Sequence, residues 1–177
     1  ISKGYLNDPD KTNRSFRKFN WDKSNATWYL TGDKAFIDEF LSCGVDVVTS
    51  GNHIWDQKET YEFIKNQPRL LRPFNMDDNL PGEGFVILNS RKGHKIGVLN
   101  LMGNVYMRKC DDVFVTSKQF INDNKFRKKY DFLIVDFHGE ITSEKMAIGH
   151  VFDGNATFVV GTHTHVPTND GRVLDKG

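Results

Sequence analysis

Residues 159–165 read Val159-Val160-Gly161-Thr162-His163-Thr164-His165, a short apolar run that breaks at a glycine before two histidines one residue apart. The pattern is typical of a buried strand that ends at a ligand site. Residues 45–53 (VDVVTSGNH) and 132–140 (FLIVDFHGE) have the same design, with Asn, His or a carboxylate directly after an apolar run. Parallel strands of one sheet end at a common edge, where open α/β sheets bind their ligands. The sequence therefore predicts one site built from three strand ends.

The composition is that of an ordinary soluble globular protein. Its 24 Lys and Arg against 23 Asp and Glu leave a formal net charge of +1, which gives no support for nucleic-acid binding. No apolar run approaches the roughly 20 residues of a membrane span, and the first residues lack a signal-peptide pattern. We therefore expect a cytoplasmic protein with no membrane partner. Cys43 and Cys110 do not have metal-site spacing, and we interpret both as reduced structural thiols.

The order of predicted elements indicates an α/β fold with a partly parallel sheet. Residues 1–29 are predicted to be an irregular or replaced N-terminal arm, and 30–177 to be the domain. Residues 69–84, rich in proline and glycine, are predicted to be a loop. In the second helix, periodicity places Tyr61 and Ile64 inward. Helices are predicted over 33–43, 57–66, 117–129 and 143–150, and strands over 45–49, 85–88, 95–101, 132–135 and 156–160.

Four of the six histidines follow apolar runs: His53, His138, His163 and His165. A single histidine at a strand end is more often hydrogen-bonded structure than a metal ligand, but four in one pattern favour a shared metal site. Imidazole, amide and carboxylate donors suit Mn, Fe or Zn better than Ca or Mg. A pair of such ions can clamp a phosphate and lower the pKa of a bound water. Phosphoester hydrolysis is the chemistry that these ligand types fit.

Asn52 and His53 have complementary capabilities. The amide oxygen can ligate a metal, while the neighbouring imidazole, free of the metal, can protonate a leaving alkoxide. Asp56 either holds that imidazole in the required tautomer or caps the following helix, and the sequence does not decide between these roles.

Three motifs in this order, Gly51-Asn52-His53, residues 136–140 (DFHGE) and residues 161–166 (GTHTHV), resemble those of the YmdB-type metallophosphoesterases. These are calcineurin-like phosphoesterases that act as 2′,3′-cyclic-nucleotide 2′-phosphodiesterases, and the resemblance covers residues 30–177. It implies a four-layer α/β/β/α sandwich with two divalent or trivalent ions, Fe or Mn, with Zn as an alternative. It also implies a small nucleotide or phosphodiester substrate, with a homo-oligomer left open. The implied roles are metal ligation by Asn52, His138, His163 and His165, catalysis by the acid His53, and support from Asp56 and Glu140.

The opening motif of the family is not matched. Residues 21–24 (WDKS) stand where relatives have Gly-Glu-Asn, which makes Asp22 the candidate for the carboxylate that bridges two metals. Asp is one methylene shorter than Glu, and no apolar run anchors it, so we expect Asp22 to fail as a bridge and at most one ion to bind tightly. The chain is thus expected to be an incomplete member at both ends. The alternatives are a remnant that binds one metal or a phosphate ligand without turnover, and a single-zinc hydrolase that uses Asn52, His138 and His163.

Overall fold

The structure is a computed structural model that describes residues 16–17, 28–29, 37–124 and 128–177. The chain divides into two compact units, residues 1–46 and 47–177. In the described part of the first unit, β1 (Phe16–Arg17) pairs antiparallel with β2 (Trp28–Tyr29), and α1 covers Ile37–Ser42. Asp22 and the predicted start of the first helix lie outside the described residues.

The second unit contains alternating strands and helices, which confirms the α/β class. Its strands are β3 (Val48–Thr49), β4 (Leu70–Leu71), β5 (Phe85–Asn89), β6 (Lys95–Met102), β7 (Phe132–His138) and β8 (Phe158–Thr162). Its helices are α2 (Lys58–Phe63), which continues as a 3₁₀ turn over Ile64–Asn66, α3 (Val113–Asp123) and α4 (Thr142–Val151). No helix in the described ranges is long and apolar enough to cross a membrane.

Four strands form a mixed sheet in the order β5-β6-β7-β8. β5 is antiparallel to β6, whereas β6, β7 and β8 are parallel. β3 instead pairs with β4 in a separate two-stranded parallel sheet, so the three motif strands come from two sheets. The prediction of a loop over 69–84 is wrong at Leu70 and Leu71, because these two residues form β4. Both leucines of β4 are fully buried, but a strand of two residues has no periodicity to detect.

The core lies between the four-stranded sheet and the helices α3 and α4. Alternate residues of β7, Leu133, Val135 and Phe137, face this core and are fully buried with Phe120 of α3 and Ile148 of α4. Because strand side chains alternate between faces, Asp136 and His138 lie on the opposite face.

That opposite face carries the β3–β4 pair. Asn100 of β6 is fully buried, and its amide donates to the carbonyl oxygens of Ser50 (2.8 Å) and Leu71 (3.1 Å). The helices α3 and α4, the four-stranded sheet and the β3–β4 pair are therefore successive layers. This arrangement places the residues after β3 against the face that carries Asp136 and His138.

Two helix predictions need correction. α3 begins at Val113 rather than at 117, because the Asp112 carboxylate accepts hydrogen bonds from the backbone N–H groups of Phe114 and Val115, both at 2.9 Å. In the α2 region Ile64 is buried as predicted, but Tyr61 is 41% exposed, so its predicted inward position is wrong.

Candidate functional site

Three chain segments meet at the carboxyl ends of the parallel strands. β7 ends at His138, which pairs in register with Thr162, the last residue of β8. His163 follows directly. The segment after β3 reaches the same place because Asn100 holds the carbonyl of Ser50, two residues before Asn52.

His138 contacts both Asn52 and His163. Nε2 of His138 lies 2.8 Å from Oδ1 of Asn52 and 3.1 Å from Nδ1 of His163. Donor atoms that share one ion through bonds of about 2.1 Å are themselves roughly 3 Å apart. The distances from His138 to Asn52 and to His163 are thus those expected between metal ligands, and these residue types fit an ion of the Mn, Fe or Zn type.

Gly51 makes this approach possible. A Cβ atom at this position would lie 2.1 Å from Nε2 of His138, and other atoms of the same ring would be almost as close. The imidazole therefore occupies the space that a side chain would need. The glycine of the GNH motif is required by packing of His138 against the backbone, rather than by turn geometry.

His138 is held in its neutral form. Burial is the main cause that lowers the pKa of His138 to about 4, and electrostatic interactions with His163, His53, His165 and Lys145 lower it further. A neutral imidazole keeps a lone pair on one of its two nitrogens, and this lone pair can bind an ion.

His163 is oriented by a carboxylate. Oε2 of Glu140 lies 2.8 Å from Nε2 of His163, while Nδ1 of the same ring faces His138. Carboxylates that engage the second ring nitrogen commonly fix the tautomer of metal-binding histidines. His163 and His165 both have positive φ angles, +104° and +56°, which non-glycine residues rarely adopt. Such backbone strain tends to concentrate at functional sites.

His165 is less closely associated with this group. Its side chain is exposed, and within the described residues it makes no hydrogen bond to Asn52, His138 or His163. Its charge nevertheless contributes to the lowered pKa of His138. The structure therefore places His165 at the rim of the site.

His53 belongs to a short chain of polar side chains beside this group of residues. Its Nδ1 lies 2.6 Å from Oδ2 of Asp56, and Arg108 forms an ion pair with the other carboxylate oxygen. The hydrogen bond with His53, together with Arg108, lowers the pKa of Asp56. The N-cap of α2 is Gln57, whose side chain makes no capping bond. The geometry thus favours the tautomer-holding role of Asp56 over the capping role.

Asp136 and Arg108 were not identified from the sequence. Asp136 is 8% exposed and accepts hydrogen bonds from the hydroxyl groups of Thr49 (2.5 Å) and Thr162 (2.7 Å). It therefore joins β3, β7 and β8 directly behind the site. Burial raises the pKa of Asp136, although both hydrogen bonds act in the opposite direction. An acidic residue inside the apolar run of residues 132–137 could have indicated Asp136 as a site residue. No sequence pattern indicated Arg108.

No three side chains of His, Cys, Asp or Glu converge as a metal-binding group within the described ranges. The convergent set is completed by an amide, that of Asn52. Because Asp22 lies outside the described residues, the expectation that it fails as a bridging carboxylate stays a prediction. Cys43 and Cys110 are both free thiols, and burial raises the pKa of Cys110 to about 11.

Comparison with known proteins agrees with the motifs. The family described as YmdB-like protein matches residues 20–177. The chain belongs to the YmdB-like family. The match includes residues 20–29, which the sequence motifs alone had left outside the resemblance.

Relatives of known name and structure extend this assignment. A 2′,3′-cyclic-nucleotide 2′-phosphodiesterase of Bacillus subtilis (strain 168) is 43% identical over 137 residues, 77% of this chain and 51% of that protein. A hypothetical protein from Thermus thermophilus has a TM-score of 0.72 at 39% identity, over 80% of this chain and 54% of its own. A novel phosphatase from Mycoplasma pneumoniae has a TM-score of 0.69 at 40% identity. This match covers 79% of the present chain and 50% of the phosphatase chain. The chain thus spans about half the length of these YmdB-like relatives.

Proposed function

We propose that this YmdB-like chain carries the site of a metal-dependent phosphodiesterase that hydrolyses 2′,3′-cyclic nucleotides or a related small phosphodiester. The observation that carries the proposal is the contact of His138 with both Asn52 and His163 at the strand ends, beside His53. The name of the Bacillus subtilis relative supplies the substrate class.

Asn52, His138 and His163 are assigned as ligands of one ion, and His165 as a ligand of a second. Glu140 supports this set by fixing the ring of His163. Iron or manganese suits these donors, with zinc as the alternative. When bound, such ions polarise the phosphate and lower the pKa of a water molecule.

His53 is assigned as the general acid. Because Asp56 engages Nδ1, the ring is held with Nε2 as the nitrogen that gives a proton to the departing alkoxide. Arg108 steadies the Asp56 carboxylate from its other oxygen. A histidine is suited to this transfer since its ordinary pKa lies near neutrality.

A second candidate function is metal or phosphate binding without turnover. It is favoured by the lack, within the described part of the chain, of three clustered His, Cys, Asp or Glu side chains. Two ions need a bridging carboxylate, because closely spaced cations repel strongly in a low dielectric. We expect Asp22 to be a poor bridge and one ion to bind tightly.

The test combines metal analysis with kinetics on purified variants. His53→Ala is expected to keep its metal and lose roughly 10²–10⁴ in turnover, as for removal of a general acid. His163→Ala is expected to lose metal and activity together. His94→Ala is the matched control, because His94 lies in the exposed turn before β6, at the other end of that strand. Loss of metal from His53→Ala would show that this residue is a ligand and that the role assignment is wrong.

Calorimetric titration with Mn²⁺ separates the two candidate functions. One tight site with weak but measurable cyclic-nucleotide hydrolysis is the expected result, whereas one tight site with no hydrolysis would establish binding without turnover. Two tight sites, one of which disappears in Asp22→Ala, would contradict the expectation for Asp22 and establish a complete two-metal centre.

A further inference from the structure

A cavity of about 340 Å³ lies next to the catalytic segment and has no role in the mechanism above. Trp55, Gln57, Lys58, Tyr61 and Glu62 line it. Its volume is at the lower end of the range for small-molecule sites, about 300–1,000 Å³. Two aromatic rings, an amide and charged groups in one cavity are the components of a site for a flat, polar, aromatic ligand.

The side chain of Tyr61 is not part of the hydrophobic core. Although its helical spacing predicts a core position, it is 41% exposed, and α2 buries none of its six residues. The Tyr61 ring is nevertheless held in place, with its centroid 5.7 Å from that of Trp55 and 5.0 Å from the ammonium of Lys65. A positioned but exposed aromatic ring is a platform for stacking.

The cavity is joined to the general acid by a tight turn. The backbone N–H of Asp56 donates to the carbonyl of His53 (3.0 Å), and Trp55 lies inside the turn that this bond closes. One wall of the cavity is therefore formed by the residue next to Asp56, whose carboxylate holds the ring of His53.

The chemistry of the proposed reaction places the base near His53. Water adds to phosphorus, the bond from phosphorus to O2′ breaks, and O2′ takes the proton from His53, which leaves a nucleoside 3′-phosphate. The departing oxygen is attached to C2′, which is bonded to C1′, the carbon that carries the base. The nucleobase therefore lies close to the general acid, on the leaving-group side of the phosphate.

We propose that this cavity binds the nucleobase of the substrate, an inference that rests on the proposed function. The base stacks on the exposed ring of Tyr61, as bases do on aromatic side chains in single-strand binding proteins. Gln57 supplies a donor and an acceptor to the edge of the base, because its amide makes no cap bond to α2. The cavity thereby selects nucleotides over phosphodiesters that lack a base.

Calorimetric titration of the full chain in Mn²⁺ buffer tests the assignment without requiring turnover. The ligands are adenosine 3′-phosphate and the base-free methyl riboside 3-phosphate. The wild type should bind the nucleotide about 10- to 100-fold more tightly, the range expected for base stacking. Tyr61→Ala should abolish this preference, and Tyr61→Phe should keep it. Phe132→Ala is the matched control, since Phe132 is also 41% exposed but lies at the opposite end of β7.

Equal affinity of the wild type for both ligands would overturn the proposal, as would a preference that survives Tyr61→Ala unchanged. If Tyr61→Ala does not fold, Gln57→Ala decides, because Gln57 is exposed and its loss should weaken nucleotide binding alone. Parallel assays of 2′,3′-cyclic adenosine phosphate hydrolysis separate the two proposals. Turnover without base preference removes the cavity assignment only, and base preference without turnover removes the hydrolase assignment only.

Discussion

Gly51 is the single residue on which the geometry of the site depends most directly. Gly51→Ala would place a methyl group 2.1 Å from Nε2 of His138, so the imidazole must leave its position. We expect Mn²⁺ affinity to fall by at least roughly 10-fold, the effect of misorienting a metal ligand. Overpacking should also lower the free energy of unfolding by about 1–3 kcal/mol. Calorimetric titration and thermal denaturation measure the two effects.

Gly149→Ala is the control for that substitution. Gly149 lies in α4, and a Cβ atom there would meet nothing within 4 Å. Because alanine is the better helix former, this variant should be as stable as the wild type or slightly more stable. Unchanged Mn²⁺ binding by Gly51→Ala would show that the contact with His138 does not matter to the site.

Arg108 acts on His53 from a distant part of the chain, through the carboxylate of Asp56. Arg108→Gln removes the ion pair to Asp56 and should loosen the ring of His53. We expect turnover of a cyclic nucleotide to fall roughly 10-fold, part of the 10²–10⁴ that a general acid contributes. Hydrolysis of a p-nitrophenyl phosphodiester should change little, because p-nitrophenolate leaves without a proton. Equal losses on both substrates would point to a role other than positioning His53.

At the scale of the elements, α3 depends on one side chain for its start. Asp112→Ala removes the acceptor for two backbone N–H groups and should destabilise the second unit by about 0.5–2 kcal/mol. Asp111→Ala is the matched control, since Asp111 accepts hydrogen bonds from Asn75 and Asn104 through its backbone carbonyl, which alanine keeps. Chemical denaturation of both variants measures the difference. Equal destabilisation would mean that the cap is not responsible.

At the scale of the whole second unit, the site makes folding sensitive to acid. The pKa of His138 is about 4 in the folded chain, against an ordinary value of about 6.5. Between these values the unfolded chain binds a proton that the folded chain does not, so acid favours unfolding. The contribution of His138 is complete above pH 6.5 and is lost as the pH falls toward 4.

The measurement is the denaturation midpoint of the metal-free protein between pH 7 and pH 4.5. Wild type should lose more stability over this range than His138→Gln, whose side chain does not titrate. The raised pKa of Asp136 acts in the opposite direction in both proteins and largely cancels in the comparison. Identical pH profiles would show that His138 is not held neutral by folding.

Local patterns determined much of the fold and of the candidate site. The helices, the longer strands and the histidine motifs were predictable because side-chain periodicity and residue order are properties of short segments. The pairing of His53 with Asp56 was also predictable, because the two residues are three positions apart in the sequence. The contact of Asn52 with His138 followed from the expectation that strand ends converge.

Only the tertiary structure decided which elements are neighbours. β3 pairs with β4 in a second sheet, although its apolar run resembles those of β7 and β8. Arg108 pairs with Asp56, which is 52 residues away in the sequence. Tyr61 is exposed, although the periodicity of its helix predicted a buried side chain. The physical reason is that periodicity encodes which face of an element is apolar, whereas its partner depends on packing and hydrogen bonds between distant segments. Two buried side chains make hydrogen bonds of this kind behind the site. The amide of Asn100 and the carboxylate of Asp136 each join distant segments of the chain.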